Sequence, residues 1–156
     1  MDIISLLEKN KEKVIEDSCR QINDVKLKGY TKVGSSITKQ KLTSLYKKVI
    51  ECASKKELMP MLHYTEKIAK ERFASGYDLH EVQTAINALE ENIWQIIFKN
   101  IKPDKLAESL GLVSSILGAG KDNLARNYVA LATQTKASAI NLQSLLSGSE
   151  SIADNS

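Results

Sequence analysis

Few side chains in this sequence could take part in bond chemistry. There are two histidines and two cysteines. His63 and His80 fall in different helical stretches, and neither has a cysteine or carboxylate cluster at metal-ligand spacing. One histidine in an all-α fold could be the axial ligand of a haem, so His63 and His80 carry the runner-up reading, a haem- or small-ligand-binding sensor. His63, with Lys67 four residues on, is also the candidate for a phosphotransfer histidine, although no glycine opens the face beside it. No Ser–His–Asp or Cys–His pairing has a recognisable local motif. The segment GAGKD at 118–122 suggests a phosphate loop, but Ser115 stands where the first glycine belongs and Asp122 where a serine or threonine must hold magnesium. Cys19 and Cys52 lie among apolar residues in helical patterns, which predicts buried, reduced thiols. The residue types therefore predict no catalytic group, no metal site and no bound cofactor.

Two surface features remain. Seven lysines and no acid lie between Lys26 and Lys48. Such a run reads as a solvated loop and helix face before it reads as an anionic docking site. Only Tyr30 and Tyr46 accompany it, too few for the stacking ladder of a single-strand nucleic-acid binder. The net charge of +3 is also weak for such a role. No apolar run approaches the roughly 18 residues needed to span a bilayer, and MDIISLLEKNKEK turns charged before a signal-peptide core could form. The expected setting is the cytoplasm, without nucleic acid and without membrane insertion.

The elements that position these residues are all helical. Two prolines and seven glycines in 156 residues, with no strand-like alternation, predict an all-α bundle of five or six helices in a single domain over 1–147. The polar tail at 148–156 is expected to be disordered. Asp2 caps a first helix that runs to about Asp24 on Ile4, Leu7, Val14, Cys19 and Ile22. A loop at 26–36 follows, then a helix on Leu42, Leu45, Tyr46, Val49 and Ile50. Pro60 suits the first turn of the next helix, though Ser54 with Glu57 offers a rival start that would leave Pro60 inside it. That helix uses Leu58, Leu62, Ile68, Ala69 and Phe73.

The central signal is the stretch 70–98. Gly76 supplies a positive φ to stop one helix. Asp78, with Glu81 three residues on, forms a capping box that starts the next. Leu79, Val82, Ile86, Leu89, Ile93 and Ile96 then make one stripe, which Trp94, Ile97 and Phe98 widen, so the last two turns are expected to be deeply buried. Pro103 and Asp104 open the final helix, whose seam runs from Leu106 to Leu145. Gly118 and Gly120 weaken its middle by about 1 kcal/mol each, so a break there is one expectation. Unbroken, it outruns its bundle.

Arg72, Gly76, Asp78, Glu81, Val82 and Trp94 together give a pattern: a helix ending in "eR…sGy", a capped "dLhEV", then a long apolar helix containing Ile-Trp. In this the chain resembles the N-terminal regulatory domain of RsbT co-antagonist proteins (RsbR and RsbRD types), which also precedes some sensor kinases. By sequence the resemblance covers 57–98; by helix order it covers nearly all of the chain. It implies a small all-α fold, in some members globin-like without haem, that dimerises and passes a stress or other signal to an output domain. It names no ligand, and the expectation is either a stand-alone member or a fragment of a longer protein. The expected function is a non-catalytic signalling domain that works through dimerisation and an unidentified signalling partner. Between Asn127 and Leu146 only Lys136 is charged. The expected homodimer seam is therefore Leu124, Tyr128, Leu131, Leu142 and Leu145, with Arg72, Gly76, Asp78, Glu81, Trp94 and Phe98 as structural positions.

Overall fold

The computed structural model describes residues 2–25 and 35–146, with side chains for all of these except 35, 36 and 136–145. The lysine-rich loop before Ser35 and the tail after Leu146 lie outside the described residues. Six α-helices make the described chain: α1 Ile3–Lys9, α2 Lys11–Val25, α3 Ser35–Lys55, α4 Met59–Ala74, α5 Leu79–Asn100 and α6 Pro103–Leu146. The protein is an all-α helical bundle.

The expected first helix is two. Asp2 accepts from Ser5 N–H at 2.9 Å and starts α1, but Asn10 closes it. The Asn10 amide donates to the Leu6 carbonyl at 2.9 Å, an alternative to the helical ladder that short amide side chains offer. The Tyr46 hydroxyl donates to the Leu7 carbonyl and ties α1 to α3. Lys56, at φ 56°, ends α3 in the left-handed region. The choice between helix starts goes to Pro60, which occupies the first turn of α4.

The end of α4 is as the sequence implies. Gly76 has φ 83°, Gly76 N–H bonds Phe73 O at 3.1 Å, and Tyr77 N–H bonds Arg72 O at 3.0 Å. These are the two bonds of a Schellman stop, and they satisfy carbonyls that the helix end leaves open. The short connection turns a corner: α4 packs mainly on α6, while α5 packs on α2 and α6. Asp78 occupies the N-cap of α5 through its backbone, but its carboxylate makes no capping bond, so that side of the expected box is not formed.

Trp94 and Phe98 correct the sequence reading. They are 36% and 60% exposed, whereas Leu89, Ile93 and Ile97 are fully buried. Each helical step turns the side chain by about 100°, so the residue after Ile93 or Ile97 faces away from the core. The buried stripe is one residue narrower than the sequence pattern predicts. On α4 the buried row is Met61, Thr65, Ile68, Ala69 and Arg72, so Leu58, 41% exposed, is not part of it.

The last helix is continuous through Gly118 and Gly120, 44 residues in all and about 66 Å long. Gly120 is the reason that α4 and α6 approach so closely. A Cβ there would lie 2.9 Å from Cγ and Sδ of Met61 and 3.3 Å from Cγ2 of Thr65. Asn123 locks the same crossing, donating to Leu62 O at 2.9 Å and Thr65 Oγ1 at 3.0 Å.

Candidate functional site

A polar cluster that joins three helices forms where α6 leaves the bundle. The Schellman stop of α4 turns Tyr77 back over its own helix, placing its ring 4.8 Å from the Arg72 guanidinium carbon. Arg72 is only 6% exposed. Its Nη2 donates to Glu71 Oε1 at 3.2 Å, and Lys41 from α3 pairs with the same carboxylate. The Lys41 ammonium holds the Glu71 carboxyl below its ordinary value, with Arg72 and Lys67 adding to the effect. A desolvated cation over an aromatic face is worth about 2 kcal/mol, which helps to offset burial of the Arg72 charge.

Tyr128 of α6 completes the cluster. Its hydroxyl donates to the Tyr77 carbonyl at 3.1 Å. Its ring meets Phe73 edge-on, with centroids 5.7 Å apart. Burial pushes its phenol up to about 12. Beyond it, Val129 is already 62% exposed, and 132–135 are exposed. The 18 helical residues from 129 to 146 extend about 27 Å past this joint.

Arg72 also lines a small, partly open pocket of about 40 Å³, room for about one water. Its other walls are mainly apolar, among them Leu42, Leu45, Ile68, Val82 and Ile86, with Thr38 and Tyr64 at the polar side. Burial pushes the Tyr64 phenol up to about 12. One arginine thus faces both this pocket and, through Tyr77, the root of the projecting helix.

The residues expected at a dimer seam are divided. Leu124 is 0% and Tyr128 6% exposed within the single chain; both belong to the core, because the bundle covers α6 one turn further than the helix lengths suggested. Leu131 is half-buried. Leu142 and Leu145 lie on α6, but their side chains are outside those described. His63 and His80 are exposed, on α4 and α5 respectively; neither lines the Arg72 pocket, and His63 instead lines an open surface pocket of about 460 Å³. Beside His63, Lys48 and Lys55 each bond Glu51 at 3.1 Å. Among the described residues, no three His, Cys, Asp or Glu side chains could hold a metal ion together, and no helix is long and apolar enough to cross a membrane.

The GAGKD segment is helical and structural. Lys121 bonds Asn87 Oδ1 and the buried Glu90 Oε1, both at 3.0 Å, and so joins α6 to α5. Both cysteines are free thiols, Cys52 buried and Cys19 half-buried, and burial pushes both thiols up. The sequence reading missed Tyr77, the pairing of Arg72 with it, and the Lys121–Glu90 contact. The available signal was an arginine on the α4 stripe just before a glycine stop followed by tyrosine. No family model, curated protein or solved structure matches this chain.

Proposed function

We propose that the chain is a non-catalytic cytoplasmic regulatory domain that acts as a homodimer and passes a signal to another protein through the distal part of α6. The observation that carries this reading is the Arg72–Tyr77–Tyr128 joint. It connects a small, partly open pocket to the last core contact of a helix that continues 18 residues further. A change at Arg72 has a short route to the helix root: guanidinium to ring, Tyr77 carbonyl to Tyr128 hydroxyl. Each link is worth about 1–2 kcal/mol, small enough to be broken by a binding event and large enough to bias a two-state helix. The resemblance of 57–98 to RsbR-type regulatory domains points the same way, toward stress signalling without chemistry.

The pocket beside Arg72 supports a second, narrower reading only for a water-sized ligand held against the guanidinium. It does not favour haem, which is far larger than this space.

Hydrogen exchange tests the joint. Tyr128→Phe and Arg72→Met should speed amide exchange of 129–146 by about ten-fold, the effect of losing about 1.4 kcal/mol, while α2 and α5 stay protected. Unchanged exchange in 129–146, with the rest of the fold intact, would leave the joint without a signalling role.

A further inference from the structure

The outward face of the α5–α6 pair carries two features that the core does not use. The first is an aromatic pair: Trp94 and Phe98, one turn apart on α5, are 36% and 60% exposed. Large aromatics rarely sit side by side on a free surface. The second is the neighbouring stretch of α6. Between Ser109 and Gly120 it holds no charged residue on any side, although helix faces in water usually carry charge. Its outward positions include Gly111 and Gly118, and a Cβ added at either would meet nothing within 4 Å. The bond from Lys121 to Asn87 fixes the register of these antiparallel helices. Counting along both chains from that bond brings Trp94 level with Ser114, and Phe98 level with Leu110, next to Gly111. An aromatic ridge therefore lies beside a smooth, uncharged track.

We propose that this face binds a second copy of the chain. A two-fold axis through it lays the Trp94–Phe98 ridge of each copy on the Gly111–Gly118 track of the other. The proposal rests on the homodimer reading above and places its contact away from Leu124 and Tyr128. A ridge and a track on one face are self-complementary, as an isologous interface requires. The absence of charge on the track leaves no ion to desolvate when the copies meet, and glycine at the contact lets helices approach closely. The uncharged stretch is about 18 Å long at 1.5 Å per residue and, with α5, about 20 Å wide. Such a footprint belongs at the small end of specific interfaces, those that form and part reversibly. Val129, on the same outward side of α6 and 62% exposed, extends the face toward the distal helix, so docking here would align two distal helices.

The chain provides its own probe, because Trp94 is its one tryptophan. Full-length protein is followed by light scattering and by acrylamide quenching of Trp94 from about 1 µM to about 1 mM, where interfaces of this size associate. The expected result is a dimer at the upper end that dissociates on dilution, with quenching rising over the same range. Gly111→Gln with Gly118→Gln should raise the dissociation constant at least about ten-fold, while the monomer's melting temperature should not fall, because both positions are open and glutamine is the better helix former. If the dimer forms equally well in this variant, or Trp94 is quenched equally in both states, the contact lies elsewhere and the proposal fails while the homodimer reading stands. A wild-type chain that stays monomeric throughout overturns both.

Discussion

The inner and outer faces of the α5–α6 pair are built from the same kinds of residue, yet those residues meet different things. Inside, Gly120 exists because Met61 and Thr65 already fill the space that a side chain would take. Outside, Gly111 and Gly118 border nothing. Inside, Ile93 and Ile97 are fully enclosed, while Trp94 and Phe98, one position further along, face outward. A glycine or an aromatic thus has no fixed meaning on a helix. Its role follows from the face it occupies, and a face is set by the neighbours that the tertiary fold supplies.

The contrast should be largest for large-to-small changes. Ile93→Ala should cost about 2–5 kcal/mol, because it removes buried methyl groups and leaves a cavity. Trp94→Ala, measured by urea unfolding of dilute protein, should cost about 1 kcal/mol or less, as surface changes do. Equal losses at the two positions would show that the outer face is core after all.

The glycines give a smaller effect with a change of sign. Gly120→Ala gains about 1 kcal/mol of helix propensity but must push Met61 aside, and overpacking costs about 1–3 kcal/mol. A net lowering of the melting temperature is expected. Gly118→Ala meets nothing within 4 Å and should raise stability by up to about 1 kcal/mol in the monomer. Thermal melts at low concentration compare the two, and shifts of the same sign would break the distinction.

The helix starts extend the same comparison to polar groups, with the smallest effects. Asp2 meets Ser5 N–H, whereas the Asp78 carboxylate has no capping bond. Asp2→Ala should lower the melting temperature by about 2–4 °C, and Asp78→Ala by less than about 1 °C. A larger fall at Asp78 would mean that its carboxylate does cap α5 in solution.

Much of the fold was legible because helix signals are local. Asp2, Pro60, Gly76, Asp78 and Pro103 mark helix starts and stops through the φ angles and backbone groups of their own few residues. Those boundaries agree with α1, α4, α5 and α6. The Asn10 break was not legible, since a single amide bonding the carbonyl four residues back competes with the ladder by a small margin. The candidate site was only half visible. Arg72 stood out by its place before Gly76, but Tyr128 is brought to the Tyr77 carbonyl by the packing of α6 on α4.

The sequence by itself determined the all-α class, most helix boundaries and the inner row Val82–Ile86–Leu89–Ile93, because caps and periodicity act within a few residues. Three things were decided by tertiary structure alone: that α6 runs unbroken through two glycines, that Leu124 and Tyr128 end inside the bundle, and that Trp94 and Phe98 end outside it. Helix propensity opposes glycine by only about 1 kcal/mol, less than is gained where α4 and α6 close on Gly120. Which side of a helix is buried depends on the position of other helices, and that information is not carried by the residues of the helix itself.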